Sequence, residues 1–219
     1  MIVTFSGMDG AGKTTQINKL ISNLENNKKD VSYIWARGGY TPGFELLKKI
    51  IRKVFRKSVP EAGHSIARKN IISRPYVSWV WLNIAMFDMA ILYGVIIRLK
   101  LLFGYTVICD RYIDDTALDF KLNFPHVNFE NMFLWKLLNF IAPSPDKSFL
   151  FLIPVEVSMQ RSQQKNEPFP DSKEILKIRL NSYNDNNLFC QDKYFVVDGT
   201  KNIEEVERII DKVIGMSIL

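Results

Sequence analysis

The sequence predicts an α/β fold with a doubly wound, mainly five-stranded parallel sheet and helices on both faces. Short apolar segments alternate with segments of helical periodicity along the chain, which is the order of elements in a parallel sheet. A glycine-rich run at 7–14 stands between the first apolar segment and the first helical segment. The chain has 219 residues, 47% of them apolar, without a linker or an internal repeat. We therefore expect a single domain over 1–219.

The first strand and the first helix flank the glycine-rich run. Residues 2–5, Ile-Val-Thr-Phe, form a short apolar segment of β type. Residues 7–14, Gly-Met-Asp-Gly-Ala-Gly-Lys-Thr, fit the pattern G-x-x-x-x-G-K-[ST]. Apolar residues then recur at helical spacing on one face: Ile17, Leu20, Ile21 and Leu24. Strand, loop and helix together are the context of a phosphate-binding P-loop, and they disfavour an ordinary glycine-rich turn.

The P-loop predicts the binding of a nucleotide and of Mg²⁺. Lys13 can reach the β- and γ-phosphates, and the Thr14 hydroxyl can ligate the metal. The helix that begins here adds its dipole and its free amides to anion binding. The loop residues assigned to nucleotide binding are Gly7, Gly10, Ala11, Gly12, Lys13, Thr14 and Thr15. A GTPase is disfavoured because the chain has no guanine-reading Asn-Lys-x-Asp run.

The remaining elements follow in order along the chain. Strands are predicted at 31–35, 105–109, 148–153 and 194–197, and helices at 41 to about 55, at 79–97 and over the apolar face of 206–214. Ligands of such sheets bind beyond the carboxyl ends of the strands. The P-loop and Asp110 both fall there, so Asp110 is a candidate site residue.

The segment 79–97 is long and apolar enough to raise the question of a transmembrane helix. Asp88 lies near its middle, where a carboxylate is costly in lipid. The segment is rich in aromatic residues and is followed by Arg98-Leu99-Lys100. We therefore predict a central core helix and no membrane partner.

Composition predicts a cytoplasmic protein without a nucleic-acid partner. Met1 leads directly into the first strand, and Cys109 and Cys190 do not make a disulfide framework. The formal net charge is +6, and much of it falls within 48–69. This basic stretch is either a solvated helix face or a surface that attracts an anionic substrate or partner. It does not interleave aromatic and basic residues as a nucleic-acid module does.

Four segments resemble the thymidylate kinase family of P-loop nucleoside monophosphate kinases. They are 5–16, which contains the P-loop; 37–42, which lacks the family's Glu-Pro; 107–112, which ends in Asp-Arg-Tyr; and 196–206. The resemblance implies the P-loop nucleoside triphosphate hydrolase fold with a short mobile lid at roughly 156–178. It implies ATP-dependent phosphorylation of a nucleoside monophosphate, with dTMP and ATP giving dTDP and ADP. It also suggests a homodimer. The segment 79–97 could form the dimer interface, or it could lie entirely in the protein interior.

The resemblance also implies roles for the residues around the phosphate acceptor. Asp9 would contact the sugar 3′-hydroxyl, Arg111 would clamp the acceptor phosphate, and Asp110 would order magnesium and its waters. Lys48 stands where the family usually has a second clamping arginine, so the charge is kept but the bidentate fork is lost. Together with Arg37, these cations favour an anionic acceptor.

The resemblance places a catalytic cation in the lid. Gly10 stands where some members carry a loop arginine, and members with glycine there use a lid arginine. The predicted lid is shorter than in the family, and it contains Arg161 and Lys165. We assign nucleotide binding to Arg161 and a catalytic role to Lys165, against the alternative of exposed solubilising charges. Lys13, the magnesium ion and this cation would neutralise phosphoryl oxygens in the transition state.

The acceptor pocket departs from the family pattern. Met89 stands where the family has its thymine-reading arginine, and Ala85 where it has the residue that stacks on thymine. Asp115 stands where the family has a serine, and we assign it to substrate binding. Phe87 or a tryptophan could replace the stacking residue. One alternative is therefore a hydroxyl-bearing acceptor, such as a sugar or a nucleoside, with an aspartate as general base. The aspartates also have a structural alternative, in which Asp114 or Asp115 only caps the next helix. A third hypothesis is a nucleotide-binding protein without turnover, suggested by the basic stretch and the short lid.

Overall fold

The computed structural model describes residues 1–35, 74–165, 170–185, 189 and 191–215. Several sequence-based predictions lie outside these residues. They are the helix at 41–55, the substrate contacts Arg37 and Lys48, the whole basic stretch 48–69, and Cys190. These predictions stay predictions.

Five parallel strands form one sheet. They are β1 (Ile2–Gly7), β2 (Val31–Trp35), β3 (Thr106–Asp110), β4 (Lys147–Leu152) and β5 (Phe195–Asp198). The order is β2-β3-β1-β4-β5, with every neighbouring pair parallel. From the central β1 the chain goes to the edge strand β2, returns to β3, and then crosses β1 to reach β4 and β5. Right-handed connections in these two directions place helices on both faces. The predicted fold class is confirmed, and no predicted strand end differs from the observed end by more than two residues.

Helices connect and cover the strands. They are α1 (Lys13–Asn26), α2 (Pro75–Ile91) with a π-helical continuation (Leu92–Ile97), α3 (Arg98–Leu102), α4 (Ile113–Asn123), α5 (Phe133–Ile141), α6 (Val155–Gln164), α7 (Lys173–Tyr183) and α8 (Ile203–Ile214). The predicted apolar faces of α1 and α8 are largely buried, with Ile17, Leu20 and Val206 inside. The predicted lid at 156–178 includes most of α6 and the first part of α7.

The chain divides into two compact units. One contains Met1–Trp35, Leu99–Asp115 and Ser144–Leu219, and it holds the whole sheet. The described residues of the other unit are 74–98 and 116–143. In this second unit α2 packs on α5, and Phe120, Phe129 and Trp135 form a cluster of edge-to-face rings. The prediction of a single domain over 1–219 stays a prediction.

The core of the sheet lies directly beneath the P-loop. All six residues of β1 are buried. The ring of Phe5 packs against the rings of Phe149 and Phe151, with centroids 5.3 and 5.9 Å away. The strand register pairs Phe5 with Asp110 and Gly7 with Phe151. The end of β1 and the end of β3 therefore reach the same edge of the sheet, where the candidate site residues stand.

Helix α2 is buried on one face only. Its buried residues are Ser78, Leu82, Ala85, Met86 and Met89. The opposite face is apolar but exposed, and its larger side chains are Tyr76, Trp79, Phe87 and Ile91. The prediction of a central core helix is therefore right for one face and wrong for the other. The sequence pattern could not separate the two faces because both are apolar.

The helical run Pro75–Leu102 is long and apolar enough to cross a membrane, with a mean hydropathy of 1.9. Only 33% of its most apolar window is buried. Length and composition are weak indications by themselves, because the core helices of soluble proteins meet the same criteria. The absence of a membrane partner thus stays a prediction.

Asp88 makes the stability of α2 dependent on pH. Burial raises the pKa of this carboxyl from 3.8 to about 6. The folded chain therefore binds this proton more tightly than the unfolded chain does. The protonated carboxyl contributes to folding stability below about pH 4, and this contribution is lost as the pH rises through about 6. We expect Asp88→Asn to raise the melting temperature at pH 7 and to change it little near pH 4. Thermal unfolding at both pH values measures this, and equal shifts at the two would exclude the charge as the cause.

Candidate active site

The glycines give the P-loop its curled backbone. Gly7, Gly10 and Gly12 have φ values of 129°, 76° and 89°, which side chains rarely permit. Gly12 is the N-cap of α1, and it has no side chain that could occupy the first-turn amides. A loop of this shape presents successive amides to an anion at a helix N-terminus. The predicted strand, loop and helix are all present.

Two glycines also allow the close packing of the loop. A Cβ atom on Gly7 would lie 2.1 Å from the carbonyl oxygen of Phe151 in β4. A Cβ atom on Gly199, just after β5, would lie 2.6 Å from the carbonyl oxygen of Ala11. Both are backbone atoms that cannot rotate away. The P-loop thus packs closely against β4 and against the turn after β5.

Lys13 folds back over the loop. Its ammonium donates to the carbonyl oxygens of Gly7 and Met8 at 3.0 and 2.7 Å, and the residue is 7% exposed. Burial, with a contribution from the charge of Arg111, lowers the pKa of Lys13 to about 8. The side chain is thus a desolvated cation at the phosphate-binding loop, where its electrostatic effect on an anion is strongest.

Asp110 and Thr14 have the donor chemistry that magnesium requires. Thr14 is exposed at the start of α1, and Asp110 ends β3 at the same edge of the sheet. Burial raises the pKa of Asp110, while Lys13 and Arg111 oppose this shift. The Tyr33 hydroxyl donates to Asp110 Oδ2 at 3.3 Å. A hydroxyl and a carboxylate are hard oxygen ligands that fit Mg²⁺ bound together with phosphates.

The described residues contain no group of three or more His, Cys, Asp or Glu side chains that could hold a metal ion by themselves. The roles of Thr14 and Asp110 as magnesium ligands stay predictions.

Arg111 lies beside the P-loop and is almost fully buried. Its residue exposure is 3%, and its Nη2 donates to Asp9 Oδ1 at 2.6 Å. Its φ of 74° places a non-glycine residue in the left-handed region, which is strained. Such strain at the end of a strand is typical of functional sites, where the surrounding structure fixes it. The structure thus brings two sequence-predicted acceptor residues, Asp9 and Arg111, into direct contact.

Asp115 is turned inward. It is 1% exposed, and its oxygens accept hydrogen bonds from Ser6 Oγ at 2.6 Å, Arg111 Nη1 at 3.2 Å and the Tyr183 hydroxyl at 3.1 Å. Oδ2 also accepts from the backbone amide of Tyr112 at 3.4 Å, which is the helix-capping contact considered for α4. The assignment of Asp115 as a substrate contact stays a prediction, and its visible role is to hold Arg111.

Arg161 contacts the nucleotide loop from α6. Its Nη1 donates to the carbonyl oxygens of Gly10 and Gly199 at 3.0 and 2.9 Å. Ser158, one turn earlier, donates to the carbonyl oxygen of Asp9 at 2.8 Å. Lys165 follows α6 directly and is exposed. Of the two cations of the predicted lid that were assigned a role, Arg161 contacts the P-loop, whereas Lys165 is exposed to solvent.

The residues at the thymine-reading positions lie in the second unit. Ala85 and Met89 are both on the buried face of α2, 5% and 0% exposed. Phe87 is on the opposite face and is 60% exposed. Phe87 and Ala85 thus lie on different faces of α2, and the predictions for base stacking and base reading stay predictions.

Four residues of the site were not assigned a role from the sequence. Gly199 lies in the 196–206 segment, so a signal existed, but its packing on the P-loop did not follow from the pattern. Ser158, Tyr33 and Tyr183 carry no local signal, because each reaches the site through a contact distant in sequence. Only the arrangement of strands and helices brings them there.

The fold and the site together define a P-loop nucleotide-binding protein. A phosphate-binding loop ends the central strand, and an Asp-Arg pair ends the strand beside it. The family model described as thymidylate kinase matches residues 81–210, more than half of the chain. The chain belongs to the thymidylate kinase family, which confirms the resemblance seen in its motifs.

Curated relatives cover nearly the full length. A thymidylate kinase of a Sulfurihydrogenibium species is 28% identical over 95% of this chain and 93% of the relative. A thymidylate kinase of Fervidobacterium nodosum is 29% identical over 97% of this chain and 98% of the relative. A probable thymidylate kinase of Methanocaldococcus jannaschii is 26% identical over 98% of this chain and 94% of the relative. The similarity thus includes both the P-loop and the segments that follow it.

Proposed function

We propose that this protein transfers the γ-phosphoryl group of ATP to dTMP, giving dTDP and ADP. The observation that carries the proposal is the contact between Arg111 and Asp9 at 2.6 Å. It places a cation suited to an acceptor phosphate against the loop that binds the donor phosphates. The family and the names of the relatives support dTMP as the acceptor.

The chain's own residues would do the following. The P-loop amides and Lys13 bind and align the donor phosphates, and Arg111 holds the acceptor phosphate in line with them. Asp9, whose side chain is 31% exposed, accepts a hydrogen bond from the acceptor sugar hydroxyl. Lys165 supplies a further cation from the predicted lid. The acceptor phosphate is already an anionic nucleophile, so the reaction needs no general base.

Magnesium, when bound through Thr14 and Asp110, would neutralise charge on the β- and γ-phosphate oxygens. Tyr33 would orient Asp110 for this role, because its hydroxyl donates to that carboxylate. Burial and the nearby charge of Asp110 raise the pKa of Tyr33 to about 12, so it remains a hydrogen-bond donor near neutral pH.

The contacts of Asp115 and Asp114 disfavour these two aspartates as the general base of a hydroxyl acceptor. A hydroxyl acceptor would need an aspartate as general base within reach of the substrate. Asp115 is bonded to Ser6, Arg111 and Tyr183, and Asp114 Oδ2 accepts from the Tyr194 hydroxyl at 2.6 Å. Both carboxylates thus have protein partners, which supports the monophosphate.

The test is an ATP-to-ADP assay with a panel of acceptors. The panel contains dTMP, dUMP, CMP and AMP, with nucleosides and sugars as hydroxyl acceptors. We expect dTMP to give the highest kcat/KM. Turnover led by a sugar or a nucleoside would contradict the proposal. ATP binding without any acceptor-dependent ADP formation would instead support a nucleotide-binding protein without turnover.

We further propose a cytoplasmic homodimer that joins through the exposed apolar face of α2, defined by Tyr76, Trp79, Phe87 and Ile91. These side chains are 43–77% exposed and lie on one side of the helix. Trp79→Glu should give monomers in sedimentation velocity, whereas Phe140→Glu, at an even more exposed aromatic on α5, should not. A monomeric wild-type protein would exclude the dimer.

A further inference from the structure

Two tyrosines from the C-terminal part of the chain, the buried Tyr183 and the half-buried Tyr194, contact two adjacent aspartates. The Tyr183 hydroxyl lies 3.1 Å from Asp115 Oδ1, and the Tyr194 hydroxyl donates to Asp114 Oδ2 at 2.6 Å. The ring of Phe189 packs between the two, with its centroid 4.7 Å from Tyr183 and 5.6 Å from Tyr194. Each hydroxyl thus contacts an aspartate at the start of α4, but only Asp115, the partner of Tyr183, contacts Arg111.

The Tyr183 hydroxyl joins three parts of the site. Tyr183 is 0% exposed and ends α7. Its hydroxyl is within donating distance of the carbonyl oxygen of Gly7, at 3.2 Å, and of Asp115, and it accepts from Arg111 Nη1 at 3.3 Å. It therefore connects α7 to the P-loop, to the start of α4 and to the cation beside the loop.

The guanidinium of Arg111 is fixed from both ends. Nη1 donates to Asp115 and Tyr183, while Nη2 donates to Asp9. A planar guanidinium held at two nitrogens has its orientation determined, which an ammonium could not reproduce. At Nη1 the Asp115 contact is 3.2 Å long, and the Tyr183 hydroxyl adds a second contact at the same nitrogen at 3.3 Å.

We propose that Tyr183 is a positioning residue for the acceptor phosphate: its hydroxyl, together with Asp115, sets the orientation of Arg111. This proposal rests on the proposed function, in which Arg111 holds that phosphate. A misplacement of about 1 Å in a positioning group can cost on the order of 100-fold in rate. The hydroxyl is therefore a specific requirement of catalysis and not only a filler of the core.

Tyr183→Phe removes the hydroxyl and keeps the ring that packs on Phe189. We expect the KM for dTMP to rise about tenfold or more and kcat to fall, while the KM for ATP changes less. This follows because one hydrogen bond to a charged group contributes roughly 1.5–3 kcal/mol. Tyr194→Phe is the matched control, since it removes the same group from the neighbouring aspartate without a contact to Arg111. Equal effects of the two variants, or no rise with Tyr183→Phe, would overturn the proposal.

A second measurement does not depend on turnover. In protein with ¹⁵N-labelled arginine, the Arg111 side-chain signals are assigned by their loss in Arg111→Lys. We expect slow solvent exchange of these protons in the wild type and in Tyr194→Phe, and faster exchange in Tyr183→Phe. Unchanged exchange in Tyr183→Phe would overturn the positioning role. If the wild type instead lacks dTMP-dependent turnover while the exchange behaves as expected, the proposed function fails and the positioning of Arg111 stands.

Discussion

Replacing Lys13 with alanine should lower dTMP-dependent ADP formation by about 100- to 1000-fold, the usual cost of removing one preorganised charge-stabilising donor. The ammonium is buried at the P-loop and donates to the carbonyl oxygens of Gly7 and Met8. The Lys13 ammonium would lie close to negatively charged phosphoryl oxygens in surroundings that contain little water, where charge interactions are strong. Its removal should therefore destabilise mainly the transition state. Steady-state kinetics with ATP and dTMP measure this loss.

The same substitution should leave the fold intact. Burial lowers the pKa of Lys13, which means that the charged form is disfavoured in the folded protein. We therefore expect no decrease in melting temperature with Lys13→Ala. Lys19→Ala on the same helix is the control, because its exposed ion pair with Glu207 is distant from the loop. If Lys13→Ala retained near-normal kcat, the assignment of Lys13 to phosphate binding would be wrong.

Replacing Arg111 with methionine should damage both catalysis and stability. The acceptor phosphate would lose its clamp, so kcat/KM for dTMP should fall about 100-fold or more, as for other charge-stabilising donors. The buried carboxylate of Asp115 would lose its opposite charge, and breaking a buried pair in this way costs about 3–5 kcal/mol. Steady-state kinetics and denaturant unfolding give the two quantities separately.

A double variant separates the two effects of Arg111. Arg111→Met combined with Asp115→Asn removes both charges and keeps an amide whose oxygen can accept from Ser6 and whose nitrogen can donate to the Tyr183 hydroxyl. We expect it to recover much of the stability and none of the activity. Lys121→Met is the control for stability, because its ion pair with Glu130 is of similar length but exposed at both ends. A stable Arg111→Met protein would show that Asp115 does not depend on Arg111.

The parts of the site that follow from local sequence were predictable. The P-loop needs a strand, a glycine-rich turn and a helix within residues 2–26, and all three are readable from spacing alone. Asp110 and Arg111 follow the end of an apolar strand, and parallel strands end at the same edge. The inward-facing state of Asp115 was not predictable, because it depends on Ser6 and Tyr183, which are far away in the sequence.

The two faces of α2 show a second limit of sequence patterns. Apolar side chains point both into the second unit, as Met86 does, and into solvent, as Trp79 does. A periodic pattern arises only when one face is polar, so no pattern could separate these two faces. Tyr183 shows the same limit for polar groups. Its position in a mainly polar helix does not indicate which residues its hydroxyl will contact.

The central position of β1 determines how nucleotide binding affects the rest of the sheet. β1 is hydrogen-bonded on both sides, to β3 and to β4. Amides in such a strand exchange with solvent only when the whole sheet opens, whereas edge strands fray on their own. Because the P-loop continues directly from β1, a bound nucleotide opposes that global opening by mass action. We therefore expect a bound nucleotide to lengthen the time that the sheet unit survives a protease, in addition to ordering the loop.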